Sequence, residues 1–464
     1  MSESGSLSIW LSAWGISGII AAAVLVRCRK AGLSGRDSCI IAAAFFPTPL
    51  GHLFGSGNSF VYAFDLLIPI AFFSASKRWE RIPSRMKTAG LLILWGGGLL
   101  PALTSLGREN RFDALWNVVN LIRMAGCIAV MFQLATAKKS SKFAPNALLY
   151  CFSALSMGVF CAMLLNGTDL IKSDVFTHIQ NVAASYQDST ELNLDRRFFA
   201  LGLFRGSTGI IGTLGVLAFF ATVSERKFSP FAAIGAVSGL GAVVLIGSKT
   251  SLLTIVVIFL YSASRSLLKR PTFQVAAAMI AFATIVVLSV GALYKKPSLR
   301  TYVPPLMLDL LGVEGRVETP TLDLRVSRWS DTQEALTRTP LALLGLGQSE
   351  NLEYNVSFFH DEYLSVLALG GIPGLACYLV GMVFLWQAIT WKKPVDPIVE
   401  FARLCFISGL IQGFSVANLQ PALLFVECVA ITCTAYGLAA ASKKTLLSKG
   451  NPTALVALQT ELHA

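Results

Sequence analysis

The sequence has few charged residues and few histidines for its length, and its cysteines form no metal-binding pattern. Charged residues make up 14% of the 464 residues, and there are four histidines. The nine cysteines all lie in or at the ends of apolar stretches, without a CxxC pair or a Cys/His ligand spacing. The pattern therefore argues against a zinc site and against a disulfide framework.

Hydrophobic residues, by contrast, make up 54% of the chain, and the mean hydropathy is +0.64. Such a composition leaves too little polar surface for a soluble protein. Apolar windows of spanning length predict an all-α polytopic membrane protein with about 12 to 14 transmembrane helices. With no internal repeat or soluble domain visible, we treat residues 1–464 as one integral-membrane domain. The predicted spans lie near residues 8–26, 38–54, 60–75, 88–106, 114–136, 146–166, 205–223, 230–246, 250–264, 272–294, 361–388, 399–416 and 421–440.

The net charge of +12, from 38 Lys and Arg against 26 Asp and Glu, follows the predicted topology. Most basic residues fall in connectors such as KRWERIPSRMK and AKKSSK. An excess of Lys and Arg marks the cytoplasmic side of a membrane, where it meets anionic lipids. Because Arg27, Arg29 and Lys30 follow the first apolar run, we expect the N-terminus outside. The charge thus indicates membrane lipids as partners, and no nucleic acid.

Two long polar segments fall on the outer side in this orientation. The first, 167–204, is predicted to carry a surface helix, because apolar residues recur in it at helical spacing. The second, 295–360, mixes charges of both signs and ends at His360. Loops of this length between spans are usually functional, so we expect the chemistry to lie there.

His360 lies in SFFHDEYLSVLALGGIPGL, where the second long loop returns to an apolar helix. A neutral imidazole at the membrane–water boundary can accept a proton from a sugar hydroxyl, because histidine titrates near neutral pH. The alternative is a histidine that caps the helix or meets lipid headgroups. The remaining histidines are His52 in a span end, His178 on the surface helix and His463 in the tail.

Four outer cations are candidates for binding phosphate. Arg325 and Arg328 share one face if their segment is helical, and two guanidinium forks suit a diphosphate. The alternative for this pair is a solvated face with local ion pairs. Arg205 and Lys249 lie at outer span ends, where the positive-inside pattern does not explain them. The alternative to phosphate binding is that the side chains of Arg205 and Lys249 extend to the lipid headgroups.

Charges inside the spans are costly and are functional candidates for that reason. Asp65 and Arg123 lie within predicted spans, and Glu427 lies within another. Asp65 and Arg123 either pair with each other or contact substrate. Glu427 has no partner that the sequence identifies.

The order of these motifs resembles the O-antigen ligase and polymerase superfamily. RGSTGIIGTLG opens one span, and GSKTSLL connects the next two. Arg-x-x-Arg-Trp follows, then Pro340-x4-Gly345-x-Gly347, and finally His-Asp-x-Tyr-Leu with a Gly-Gly-x-x-Gly helix. The resemblance runs from about residue 200 to residue 390.

This resemblance implies an integral-membrane glycosyltransferase of the type-C architecture in the bacterial inner membrane. It uses polyprenyl-diphosphate-linked glycans on the periplasmic face, and with no acidic metal motif in the early outer loops we expect neither metal nor cofactor. The implied catalytic residues are His360 and Arg328, and the implied substrate-binding residues are Arg205, Lys249, Arg325, Asp361 and Tyr363. A chain-length regulator and a flippase are implied as further partners.

The sequence departs from the family pattern at three points. Asp361 follows the histidine where the family commonly has Asn, and it could instead orient the imidazole. Ser248-Lys249 replaces Ser-Arg, which keeps the charge but loses the bidentate fork. Nine residues separate Arg205 from Gly215, one fewer than the spacing sometimes associated with polymerases.

We expect a polymerase that transfers a growing lipid-linked chain onto the non-reducing sugar of a second lipid-linked repeat, in O-antigen or exopolysaccharide synthesis. The first alternative is a ligase, which would transfer the chain to the lipid A core. The second is a transporter or flippase, although the charges cluster at the outer face rather than at the midplane.

Overall fold

The computed structural model describes the greater part of the chain, in ranges separated by gaps. The described residues are 3–30, 32–47, 50–52, 60–105, 111–136, 147–167, 205–224, 229–246, 248–268, 330, 334, 345, 362–390 and 397–413. The predicted spans near 272–294 and 421–440 lie outside them, as do the surface helix and nearly all of the second long loop.

The described residues are almost entirely helical, which confirms the all-α class. The helices are α1 (Glu3–Lys30), α2 (Gly35–Ala44), α3 (Ile68–Ser76), α4 (Ser84–Leu94), α5 (Leu100–Ser105), α6 (Arg111–Ala135), α7 (Ala147–Gly167), α8 (Arg205–Ser224), α9 (Pro230–Ile246), α10 (Lys249–Leu268), α11 (Glu362–Thr390) and α12 (Pro397–Gly413). Two 3₁₀ turns, Asp65–Leu67 and Trp79–Arg81, precede α3 and α4, and the π-turn Trp95–Leu99 joins α4 to α5. Among the described residues, the helices long and apolar enough to cross a membrane are Ser84–Thr104, Val118–Ala135 and Tyr363–Ile389.

The predicted span near 38–54 is not a continuous helix. α2 ends at Ala44, and β1 (Gly51–His52) then pairs antiparallel with β2 (Phe60–Val61). Pro47 and Pro49 follow the end of α2, and neither has the amide hydrogen that would continue a helix. A hydropathy window averages over the prolines. The predicted span near 38–54 therefore included both a short helix and the extended residues that follow it.

The distribution of polar and apolar side chains is that of a membrane protein. Large apolar side chains lie exposed on the helix surfaces, with Ile19 74% and Phe73 72% exposed. Polar side chains such as Thr208 and Gln133 are fully buried at 0%. Apolar surface that faces lipid carries no free-energy penalty, whereas buried polar groups form hydrogen bonds between helices. The described helices therefore support an all-α polytopic membrane protein.

The described chain divides into two compact units. The first contains Met1–Arg27, Phe45–Tyr62 and Asn146–Glu318, and the second contains Cys28–Ala44, Ala63–Pro145 and Thr319–Ala464. The first unit therefore holds α7 to α10, and the second holds α2 to α6, α11 and α12.

In the first unit, α8 packs against α9 and α7 through small residues. A Cβ on Gly239 would overlap the carbonyl of Gly212, and one on Gly215 would come within 2.7 Å of the Gly235 carbonyl oxygen. The Ser156 hydroxyl of α7 donates to the Ile211 carbonyl of α8 at 2.8 Å. Small residues of this kind let helix backbones approach closely within a membrane.

Gly239→Ala should lower the free energy of unfolding by about 1–3 kcal/mol, because the new methyl group forces α8 and α9 apart. Thermal unfolding of the purified protein in detergent measures the change. Gly15→Ala is the matched control, since a Cβ at Gly15 meets nothing within 4 Å. The control should unfold at or above the wild-type temperature, because alanine favours the helix. Equal midpoints for the two variants would contradict the close approach.

In the second unit, α4, the π-turn and α5 run along α11. A Cβ on Gly381 would come within 2.8 Å of Ile93. A Cβ on Gly96, in the π-turn, would overlap the Gly374 carbonyl of α11. The packing of these glycines brings α5, directly after the π-turn, beside the first half of α11.

Asp65 and Arg123 pair with each other, as one of the two sequence interpretations predicted. Arg123 Nε donates to Asp65 Oδ1 at 2.9 Å, and Arg123 Nη2 donates to Asp65 Oδ2 at 2.6 Å. Both side chains are largely buried, at 17% and 4% exposed respectively. This bidentate pair joins the turn before α3 to α6. Glu427 lies outside the described residues.

Candidate functional site

The first turns of α8 and α10 lie side by side in the first unit. Gly209 is one turn into α8, and a Cβ there would come within 2.6 Å of the Ser251 hydroxyl oxygen and 2.8 Å of the Ser248 hydroxyl oxygen. Ser248 stands immediately before α10, and its hydroxyl hydrogen-bonds that of Ser251 at 2.8 Å. A side chain larger than hydrogen at position 209 would separate the two helix starts.

This arrangement places two helix N-termini, each beginning with a cation, next to each other. α8 begins at Arg205 and α10 begins at Lys249. The first amide groups of a helix have no intrahelical acceptor, and the helix dipole adds partial positive charge there. Two such ends together favour an anion. The side chains of Arg205 and Lys249 lie outside the described atoms, so their contact with a ligand remains a prediction.

Thr208 is a polar residue at this place that sequence reasoning missed. Its side chain is fully buried, and its Oγ1 atom has no hydrogen-bond partner among the described residues. A buried hydroxyl group without a hydrogen-bond partner lowers the free energy of unfolding by about 1–3 kcal/mol, so a partner is expected for Thr208. The i, i+3 spacing from Arg205 to Thr208 puts both residues on one face of α8, and that spacing was the available signal.

Tyr363, in the second unit, has a partner in α12. Its hydroxyl donates to the Leu410 carbonyl at 3.0 Å. A Cβ on Gly413 would lie 3.1 Å from the Tyr363 ring, so the ring packs closely over this glycine. Leu410 lies in the last turn of α12, where carbonyls lack intrahelical donors. Tyr363 therefore stabilises the end of α12. This contact does not test the predicted role of Tyr363 in substrate binding, which stays a prediction.

The remaining predicted site residues lie outside the described residues. These are Arg325, Arg328, His360 and Asp361. The structure resumes at Glu362, the first residue of α11. Within the described part of the chain, no group of three or more His, Cys, Asp or Glu side chains is placed to hold a metal ion.

A comparison with known protein families matches one part of the chain. The family model described as O-Antigen ligase matches residues 234–379. The matched segment includes α9 after its first turn, α10, the second long loop with His360, and the first half of α11. No curated protein matches the chain. Residues 234–379 thus match an O-antigen ligase family model, which supports the resemblance to the O-antigen ligase and polymerase superfamily over that segment.

Proposed function

We propose that the protein polymerises lipid-linked oligosaccharide repeat units of O-antigen or exopolysaccharide. It transfers a glycan from a polyprenyl diphosphate to the acceptor sugar of a second lipid-linked repeat. The proposal places it in the bacterial inner membrane with its site facing the periplasm, without a metal ion. A flippase that delivers the repeats and a chain-length regulator are its proposed partners.

The observation that carries the proposal is the pair of adjacent helix starts at Arg205 and Lys249. The packing of Gly209 against Ser248 and Ser251 holds these starts together. The substrate's leaving group is a diphosphate, and its negative charge grows as the glycosidic bond breaks. Fixed positive ends in a site with little water stabilise that charge more in the transition state than in the ground state.

The proposed reaction moves one glycosyl group and one proton. The acceptor hydroxyl oxygen forms a bond to the anomeric carbon, and the bond from that carbon to the diphosphate oxygen breaks. The bonding electrons leave with the polyprenyl diphosphate, beside Arg205 and Lys249. The hydroxyl proton passes to the imidazole of His360. Arg325 and Arg328 add guanidinium donors to the same diphosphate.

Lys249→Met should lower kcat/KM for the lipid-linked donor by about 10²-fold, because the diphosphate loses a fixed cation in the transition state. Lys249→Arg should stay within about 3-fold of wild type, because arginine keeps the charge and adds a planar fork. Turnover of purified lipid-linked repeats by the detergent-solubilised protein measures both values.

Lys87→Met is the matched control, since Lys87 is a basic residue of the second unit that lies 5.3 Å from the Trp79 ring centroid. It should turn over repeats at the wild-type rate. Equal losses in Lys249→Met and Lys87→Met would show that net charge, and not the helix starts, affects turnover. Turnover that is undiminished by a chelator is expected, and its loss would contradict metal independence.

The family description favours one second candidate, a ligase that transfers the glycan to the lipid A core. The two activities differ in acceptor, and a deletion strain separates them. Loss of long chains with a single repeat retained on the core is the expected result and indicates a polymerase. Loss of every repeat from the core would indicate a ligase instead.

A further inference from the structure

The outward side of α3 carries a row of exposed apolar side chains that ends at a lysine. Its members are Leu66, Ile70, Phe73 and Lys77, and we call them the α3 row. Their spacing of four, three and four residues puts them on one face of the helical segment Asp65–Ser76. The opposite face packs against α6, where a Cβ on Gly126 would come within 2.7 Å of Ile68. The α3 row therefore faces away from the neighbouring helix.

The length of the α3 row matches one leaflet of a bilayer. From position 66 to position 77 a helix rises about 16 Å, at 1.5 Å per residue. The hydrocarbon core of a bilayer is about 30 Å thick, so one leaflet contributes about 15 Å. α3 itself has nine residues and is too short to cross that core. An acyl chain along the α3 row would thus bring its headgroup level with Lys77.

Two basic side chains meet at the lysine end of α3. Lys77 is the C-cap residue of the helix, and its Nζ lies 6.0 Å from the centroid of the Phe73 ring. Arg36 of α2 donates from Nη1 to the Ser74 hydroxyl at 2.7 Å, one turn before Lys77. Both cations are exposed. Within the described ranges, neither forms an ion pair with an acidic side chain.

The acidic side chains close to these cations in sequence do not neutralise them. Asp37 is buried, and its carboxylate accepts from the Ser34 hydroxyl at 2.8 Å and from Gln133 Nε2 at 2.6 Å. Glu80 is exposed and makes no ion pair among the residues that the structure describes. The C-terminal end of α3 adds a partial negative charge of about one half. Two full positive charges exceed that, so this end of α3 favours an anion.

We propose that the α3 row and Arg36 bind one anionic phospholipid. Lys77 and Arg36 contact its phosphate group, and an acyl chain lies along Leu66, Ile70 and Phe73. The basic connector that contains Lys77 is predicted to lie on the cytoplasmic side, where anionic lipids attract Lys and Arg. A free phosphate ion would leave the apolar part of the row without a partner, and a zwitterionic lipid would bring no net negative charge. This site is independent of the proposed function.

The first experiment compares two lipids that share their acyl chains and differ in net charge. Dioleoyl phosphatidylglycerol and dioleoyl phosphatidylcholine are titrated into the purified full chain in detergent, and native mass spectrometry gives the dissociation constants. Phosphatidylglycerol should bind at least about 10-fold more tightly, because its charge meets two cations. Equal dissociation constants would overturn the proposal.

Arg36→Gln/Lys77→Gln should weaken phosphatidylglycerol binding by about 30-fold, or about 5-fold for each cation removed. Arg27→Gln/Lys30→Gln is the matched control, since it removes one arginine and one lysine from exposed positions of α1. The control should bind within about 2-fold of wild type. Equal weakening in both double variants would show an effect of net charge alone and would overturn the site.

Two further variants separate charge from folding. Arg36→Lys/Lys77→Arg keeps both charges and should bind within about 3-fold of wild type. Lys77→Gln leaves the Arg36–Ser74 hydrogen bond in place and should weaken binding by about 5-fold even if the double variant does not fold. Wild-type affinity in Lys77→Gln would overturn the proposed contact with phosphate.

Phe73→Ala tests the apolar part of the α3 row. It should weaken phosphatidylglycerol binding by about 5-fold, because the acyl chain loses an aromatic surface. Leu260→Ala is the control, since Leu260 of α10 is also exposed but lies in the other unit. It should bind like wild type. Equal affinities for the two variants would contradict the placement of the acyl chain.

The last experiment identifies the source of the phosphate group. Inorganic phosphate in large excess should not displace phosphatidylglycerol, and displacement would indicate a site for a free ion. Undecaprenyl phosphate should bind equally well to wild type and to Arg36→Gln/Lys77→Gln. A loss of its binding in that variant, as large as the loss for phosphatidylglycerol, would assign the site to the polyprenyl lipid and overturn the proposal. Turnover enters none of these measurements, so a failure of the proposed function would leave their outcome unchanged.

Discussion

His360→Ala should lower kcat for glycan transfer by about 10²- to 10⁴-fold, the range expected when a positioned general base is removed. The acceptor hydroxyl would then have to lose its proton to water while it attacks the anomeric carbon. KM for the lipid-linked donor should stay near wild type, because the proposed diphosphate site uses Arg205 and Lys249. Single-turnover transfer from purified lipid-linked repeats measures the chemical step directly.

His360→Gln separates a base from a residue that only positions the acceptor. Glutamine can hold a hydroxyl by hydrogen bonds, but it cannot take up a proton near neutral pH. If His360 is the base, His360→Gln should be as slow as His360→Ala. His463→Ala serves as the control, since His463 lies in the C-terminal tail. Wild-type transfer by His360→Ala would contradict any role of this histidine in the reaction.

Long apolar runs were the most predictable part of the fold. A run near 361–388 becomes α11 because its backbone groups can pair only within the segment once water is excluded. The same logic was wrong near 38–54, where Pro47 interrupts the pattern and α2 ends at Ala44. Hydropathy detects the solvent that a segment prefers. It does not detect the hydrogen-bond capacity of each residue.

Contacts between helices were predictable only where few partners existed. One of the two sequence interpretations paired Asp65 with Arg123, because charges within the spans are rare. The hydrogen bond from the Thr104 hydroxyl of α5 to the Leu369 carbonyl of α11 was not predictable, because each has many chemically equivalent neighbours and 265 residues separate them.

The candidate site was likewise predictable only in part from the sequence. The sequence put Arg205 and Lys249 on one side of the membrane, since both lie at outer span ends. The contact between the two helix starts depends on Gly209, because the absence of a side chain there lets α8 approach Ser248 and Ser251. Glycine in a membrane helix has many uses, so its presence alone did not predict this contact. The family match identifies residues 234–379 as the segment similar to the O-antigen ligase family, without describing their contacts.

Asp65→Leu should lower the free energy of unfolding by about 3–5 kcal/mol, the usual cost of removing one partner of a buried ion pair. The loss comes from Arg123, which remains charged and has only 4% of its side chain exposed. In wild type, two parallel hydrogen bonds of 2.9 Å and 2.6 Å compensate that buried charge. Reversible unfolding in mixed micelles measures the difference.

The double variant Asp65→Leu/Arg123→Met should recover most of that loss, because it removes both buried charges together. Glu80→Gln is the control for the loss of an acid, since Glu80 is exposed, and it should change the free energy by less than about 0.5 kcal/mol. A double variant as unstable as Asp65→Leu would show that the carboxylate stabilises the protein through something other than Arg123. Recovery would instead show that the pair orients α3 and α6 at little net gain in stability, since apolar side chains of similar volume hold the same two elements together.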